Sequence, residues 1–115
     1  MTVKLSYVIE FVADMDRAVK FYRDTMALPL KFESPGWSEF ATGETTLALH
    51  PASDKNPAGK VELGFTVADV EAFWREMSAK DVLFSMPPKK QDFGGVLAQF
   101  VDSEGAHCSV GAEAA

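Results

Sequence analysis

The sequence predicts an α+β fold in which two βαβββ repeats form a curled, eight-stranded mixed sheet around a cleft. The main observation is a repeat: residues 12–16 (VADMD) recur as residues 67–71 (VADVE), almost half of the 115-residue chain later. The second observation is that each copy follows a run of alternating apolar residues and precedes apolar residues at helical spacing. One helix covers only one face of a four-stranded sheet, so we expect the other faces of the two repeats to meet around a cleft.

The first repeat begins with an alternating strand at residues 5–12, and then Asp14 or Asp16 can cap a helix. The apolar face of that helix is predicted to consist of Met15, Ala18, Val19, Tyr22 and Met26. Turn residues then separate three further strands, at residues 28–34, 37–42 and 45–50.

The second repeat begins with a strand at residues 61–67, followed by a helix that Asp69 caps. The apolar face of this helix is predicted to consist of Val70, Phe73, Trp74 and Met77. The predicted remainder is a strand at residues 82–86, a loop at 87–95, a strand at 96–101, a turn at 102–105 and a strand at 106–110. We therefore expect a single domain over residues 1–115, with repeat one at about 3–51, a linker at 51–59 and repeat two at about 60–111.

Composition and charge exclude several classes of function. Lys plus Arg number 11 and Asp plus Glu number 17, for a net charge of −6. Such a chain repels phosphate backbones and anionic membrane surfaces, so neither nucleic acid nor a membrane is expected as a partner. A lone cysteine, Cys108, and the lack of a long apolar N-terminal stretch predict a cytoplasmic protein.

Two stretches resemble a known superfamily. Residues 12–24 (VADMDRAVKFYRD) are similar to the opening pattern of the vicinal oxygen chelate superfamily, and Gly94-Gly95 with residues 102–105 (DSEG) to its closing pattern. This superfamily includes glyoxalase I, bleomycin-resistance proteins, extradiol dioxygenases and fosfomycin-resistance enzymes. The resemblance implies the same two-repeat fold, a small organic ligand or substrate, and a homodimer.

The resemblance also implies four positions for metal ligands, which fall on Tyr7, Ala48, Glu62 and Ser109. Of these, only Glu62 is an ordinary ligand for a divalent ion, because Ala48 has no donor atom and neutral hydroxyls bind such ions weakly. We therefore expect the usual metal site to be missing and no cofactor to be bound.

A displaced metal site is the alternative. His50 lies two residues after Ala48, and His107 lies two residues before Ser109, so each keeps the face of its neighbour. His50, Glu62 and His107 would then form a set of two histidines and one carboxylate for a divalent metal. Ordinary strand-end or surface histidines are the competing interpretation.

Without a metal, the inward strand positions predict a largely apolar ligand site. The residues expected to contact the ligand are Tyr7, Ile9, Trp37, Ala48, His50, Glu62, Phe93 and Ser109. Phe40 fits either this site or the core. Phe93 precedes Gly94-Gly95, where a flexible loop would act as a lid.

Glu62 is the candidate catalytic residue, since burial in an apolar cleft favours a carboxylate that accepts a proton. Cys108 alternates with Ser109 and is expected to face the helix. The first hypothesis for function is a metal-free, homodimeric protein of the bleomycin-resistance type that binds or sequesters a small organic ligand. The alternative is an enzyme, either a metal-dependent lyase or dioxygenase with displaced ligands or a metal-free isomerase using Glu62 as base.

Overall fold

The computed structural model describes residues 2–113 and divides the chain into two compact units. The first unit is Ser6–Val61, and the second joins the residues from Glu62 onward to the first few residues of the chain, up to Leu5. The elements of the first unit are β1 (Lys4–Val12), α1 (Met15–Lys20), a π-helical turn (Phe21–Thr25), β2 (Leu30–Phe32), β3 (Ser38–Ala41) and β4 (Thr46–Pro51). Those of the second unit are β5 (Val61–Val67), α2 (Val70–Ala79), β6 (Phe84–Lys90), β7 (Val96–Val101) and β8 (His107–Ala112).

In the first unit, four strands form a mixed sheet in the order β2-β3-β4-β1, in which β1 runs parallel to β4. The carboxylate of Asp14 accepts a hydrogen bond from the Arg17 N–H at 3.1 Å, so Asp14 caps α1 and Asp16, the other candidate, lies in the first turn. The helix packs on one face of the sheet, where its buried Val19 contacts the cluster that contains Phe40 of β3 and Leu49 of β4. The opposite face of this sheet carries a separate set of side chains, among them Ile9 and Ala48.

The predicted apolar stripe of α1 is correct up to Tyr22 and wrong at Met26, which is 53% exposed. The cause is the π-helical turn, where the Met26 N–H donates to the Phe21 carbonyl and the wider turn shifts the helix phase. The same turn directs the Tyr22 hydroxyl to Glu10 on β1, at 2.5 Å.

The second unit repeats the topology, with the order β5-β8-β7-β6 and β5 parallel to β8. Asp69 caps α2 by accepting from the Ala72 N–H at 3.1 Å. Val70 and Phe73 of α2 pack on Val67, Ala98 and other apolar residues of this sheet. Because both units contain the same βαβββ order, the predicted α+β class and its repeat are confirmed.

The predicted end of β6 is wrong. The strand runs over Phe84–Lys90 and so includes Pro87 and Pro88, which the sequence suggested were in a loop. Pro87 and Pro88 fall where the register with β7 shifts, between the paired residues Met86 and Lys89, and β6 ends the strand order of its unit, so their missing N–H groups cost no ladder hydrogen bond.

Neither helix within residues 2–113 has both the length and the apolar character that a membrane span requires.

Candidate ligand-binding site

The candidate site lies on the face of the first-unit sheet opposite α1. The parallel register pairs Ile9 with Ala48 and Phe11 with His50, which places these four side chains on one face. Ile9, Phe11 and Ala48 are buried there, and Tyr7, Trp37 and Ala52 pack against them. The side chains on this face form a second apolar cluster of the unit, separate from the one under α1, and it includes the rings of Tyr7, Phe11 and Trp37.

The rings on this face meet edge to face. The Trp37 ring centroid lies 6.1 Å from that of Tyr7, with 63° between the planes, and 6.2 Å from that of His50, at 81°. His50 also contacts Phe11 at 5.3 Å and 62°. Such T-shaped pairs place the positive edge of one ring against the negative face of the next, which stabilises the arrangement.

Trp37 is fixed by a tight turn between β2 and β3. The Ser34 hydroxyl donates to the Trp37 carbonyl at 2.7 Å and accepts from its N–H at 3.0 Å. The fully buried Ser38 hydroxyl donates to the Ser34 carbonyl at 3.3 Å and accepts from the Ser34 N–H at 3.4 Å. Because the Ser34 and Ser38 hydroxyls both hydrogen-bond to the backbone of this turn, the backbone that carries the indole is rigid.

Glu39 is a site residue that the sequence reasoning missed. Its Oε2 accepts the indole Nε1–H of Trp37 at 2.7 Å, and its Oε1 lies 3.7 Å from the Lys31 ammonium. The spacing of Trp37 and Glu39 was the available signal, since residues two apart on a strand share a face. The carboxylate side chain is 19% exposed, so this face combines an anionic group with aromatic walls.

The charge of Glu39 acts on Tyr7. Burial raises the pKa of the Tyr7 hydroxyl above its ordinary value, and the negative potential of Glu39 raises it further. Tyr7 therefore stays a neutral hydroxyl at physiological pH and can donate a hydrogen bond. His50 is exposed, and its Nδ1 lies 2.8 Å from the Pro51 carbonyl oxygen.

The remaining predicted site residues lie in the second unit. Glu62 is 8% exposed, whereas His107 is exposed and Ser109 is half-buried. The register pairs Gly64 with Ser109, so alternation places Glu62, His107 and Ser109 on one face of β5 and β8.

Cys108 faces the other side of β8 and is buried, as alternation predicts. Burial raises the pKa of its thiol, and the charges of Asp102 and Glu62 add to the effect.

Two further aromatic residues are Phe40, which the sequence left between core and site, and Phe93, which it predicted to contact the ligand. Phe40 is fully buried on the α1 side of the sheet, where its ring contacts Tyr22 at 5.8 Å, so it belongs to the core and not to the ligand site. Phe93 is 73% exposed in a turn closed by a hydrogen bond from the Gln91 N–H to the Gly95 carbonyl at 2.8 Å. Its ring rests on Gly95, where an added Cβ would lie 2.5 Å from it.

The residues at the expected ligand positions do not fit a divalent metal. The four positions offer one carboxylate, two hydroxyls and a methyl group, and neutral hydroxyls bind divalent ions weakly. Within residues 2–113, no group of three or more His, Cys, Asp or Glu side chains is placed to hold a metal ion.

Two βαβββ units, each with a helix on one sheet face, define a glyoxalase-like α+β protein. The model of the Glyoxalase/Bleomycin resistance protein/Dioxygenase superfamily matches residues 4–108, and the chain belongs to this superfamily. Among curated proteins, no sequence matches the chain significantly.

Solved structures share the fold at low sequence identity. Hypothetical protein BH1468 from Bacillus halodurans C-125 has a TM-score of 0.81 at 18% identity, with 100% of this chain and 97% of that chain covered. A structure described as an NAD-dependent benzaldehyde dehydrogenase from Legionella pneumophila has a TM-score of 0.77 at 22% identity, with coverage of 94% and 98%. Methylmalonyl-CoA epimerase from Mycobacterium tuberculosis has a TM-score of 0.76 at 18% identity, with coverage of 96% and 88%. At these identities the likeness concerns the fold.

Proposed function

We propose that this protein binds or sequesters a small organic ligand on the aromatic face of its first-unit sheet, without the usual metal centre. The observation that carries the proposal is Trp37, which is held by Ser34 on its backbone and by Glu39 on its indole. A large ring in a fixed orientation loses little conformational freedom when a ligand binds, so more of the contact energy appears as affinity.

The composition of the face supports an organic ligand. Ile9, Phe11 and Ala48 supply a buried apolar floor, while Tyr7 and Trp37 are half-buried and so retain accessible surface. Apolar and aromatic walls with a few placed polar groups are typical of small-molecule sites. The Tyr7 hydroxyl and the Glu39 carboxylate are the polar groups that would orient a ligand here.

The test is a ligand screen read at Trp37. The variant Trp74→Phe leaves Trp37 as the sole tryptophan, so its fluorescence reports on this face alone. A panel of neutral planar aromatics and small organic cations should contain compounds that change this emission saturably and raise the melting temperature. Each hit should lose most of its affinity in Trp37→Leu, whose fold is checked by circular dichroism.

A matched control is the reverse variant, Trp37→Phe, in which Trp74 on α2 is the remaining indole. Trp74 should be insensitive to the same compounds, because this variant lacks the Trp37 indole on which they are proposed to bind. A panel that leaves Trp37 unchanged, or changes both indoles alike, would contradict the proposal.

An enzymatic function is the second candidate, favoured by the burial of Glu62 on the face of β5 and β8 that also carries Ser109. In this proposal Glu62 is the general base of a metal-free isomerase. A lyase or dioxygenase with the displaced set His50, Glu62 and His107 would instead require about one divalent metal per chain, which elemental analysis of protein purified without chelator measures.

We also propose a homodimer in the cytoplasm, in keeping with the acidic charge and single free cysteine.

A further inference from the structure

The rings around Trp37 form two corners, one with Tyr7 and one with His50. In a T-shaped pair, the corner between the two rings is bounded by one face of each ring. Trp37 makes such pairs with Tyr7 on one side and with His50 on the other, at 63° and 81°. A group seated in either corner would therefore meet two π faces at once.

The π face of an aromatic ring is negative and attracts cations, most strongly in the case of Trp. Here the indole also donates its Nε1–H to an anionic carboxylate at 2.7 Å. A hydrogen bond to an anion polarises the donor toward greater electron density, which strengthens the attraction of the ring for a positive charge.

Glu39 supplies a full negative charge next to these walls. The Lys31 ammonium lies 3.7 Å from its Oε1, so this position already attracts a cation from the chain itself. The Lys31 side chain is 50% exposed, and ion pairs of that kind contribute little, so the ammonium can be displaced.

We propose that the corners that Trp37 forms with its ring neighbours, next to the Glu39 carboxylate, are a site for an alkylated ammonium group of the ligand. This inference rests on the proposed function and specifies the chemical class of its ligand. An alkylated ammonium matches the surroundings because it has a positive charge, a weakly hydrated surface and few hydrogen-bond donors, and the floor of Ile9, Phe11 and Ala48 offers side chains without acceptors.

The probe pair is choline and its neutral isostere 3,3-dimethyl-1-butanol, in which carbon replaces the charged nitrogen. Both are titrated at constant ionic strength against Trp37 fluorescence in the Trp74→Phe background. Choline should bind about tenfold more tightly than the alcohol, in line with the strength of cation–π attraction.

Substitutions separate the charge of Glu39 from its hydrogen bond. Glu39→Gln keeps an acceptor for the indole N–H and should weaken choline binding about fivefold while leaving the alcohol unaffected. Lys31→Gln removes the competing ammonium and should strengthen choline binding. Glu33→Gln is the matched control, since Glu33 is exposed and its charge acts on Arg23 instead, and it should change neither probe.

The outcomes are distinguishable from those of the ligand screen. Equal binding of choline and the alcohol, or equal effects of Glu39→Gln and Glu33→Gln, would overturn the cation site while the binding function stands. A Trp37 signal that responds to neutral aromatics but not to choline has the same meaning. If no compound of either kind perturbs Trp37, the proposed function itself fails, and the cation site fails with it.

Discussion

At the scale of single residues, Ser34 fixes the backbone that carries Trp37. Its hydroxyl bonds both the N–H and the carbonyl of Trp37, while Ser38 bonds the backbone of Ser34 in turn. The sequence signal, Ser-Pro-Gly-Trp-Ser, predicts a turn. The sequence does not reveal that the Ser34 and Ser38 hydroxyls make their hydrogen bonds within this turn. These hydrogen bonds hold the indole in one orientation.

Glu62 permits a prediction that separates binding from catalysis. Glu62→Gln removes the charge of a buried carboxylate with little change in shape. Ligand binding at Trp37 should be unchanged, because the proposed ligand contacts are the rings around Trp37 and the Glu39 carboxylate and do not include Glu62. Titration of the Trp37 hits against this variant measures the effect.

If Glu62 is a base for an isomerase, the same variant should lose turnover by a factor of about 100 or more while substrate affinity is kept. Glu104→Gln is a suitable control, since Glu104 is an exposed carboxylate in the turn before β8. A loss of hit binding in Glu62→Gln but not in Glu104→Gln would show that Glu62 is a charge partner of the ligand instead.

At the scale of elements, the π-helical turn connects the helix to the sheet. It brings the Tyr22 hydroxyl to Glu10, and this hydrogen bond, followed by burial and by the charge of Glu10, raises the pKa of Tyr22 to about 12. Tyrosine in an unfolded chain titrates near pH 10. The bond therefore stabilises the folded state fully below about pH 10, and the contribution is lost as the pH rises toward 12.

Tyr22→Phe should accordingly be less stable than the parent chain at neutral pH, by about 1 kcal/mol. The difference should shrink as the pH rises from about 10 to 12, since the parent loses the contribution that the variant already lacks. Urea unfolding of both proteins across this range measures it. Stability differences that stay constant up to about pH 12 would show that the hydroxyl contributes no proton-linked stability.

At the scale of the whole molecule, the two units show the same solution to burying one apolar face. In each unit the helix covers one face of the sheet. Val19 of α1 is buried in the first of these contacts, and Phe73 of α2 is buried in the second. Large apolar side chains remain exposed outside these cores, among them Phe21, Phe32 and Leu83. Individually exposed apolar residues do not define an interface, and the expectation of a homodimer comes instead from the superfamily, whose members commonly dimerise.

We therefore expect the purified chain to elute as a homodimer, with a mass twice the 12.5 kDa of one chain. Size-exclusion chromatography with light scattering, over a dilution series in the micromolar range, measures the mass directly. A chain that is strictly monomeric over that series would contradict the expectation.

The sequence alone determined the features that depend on local chemistry and periodicity. The recurrence of VADMD as VADVE predicted the repeat, and Asp69 predicted the start of α2, while Asp14 or Asp16 was predicted for that of α1. Alternation predicted the bounds of β5, and flanking turn residues those of β7, to the residue. It also predicted that Cys108 is buried on the helix side of β8. These features succeed because capping and alternation involve residues within a few positions of each other.

Only the tertiary structure decided which side chains share the candidate site. Phe40 turned out to be core and Glu39 to face the rings, because the register between β3 and β4 assigns each strand position to a face. Likewise, Pro87 and Pro88 lie in a strand because β6 stands at the end of its unit's strand order, and Met26 is exposed because a π-helical turn shifts the helix phase. Register, edge position and helix phase depend on residues far apart in the chain, so local pattern cannot specify them.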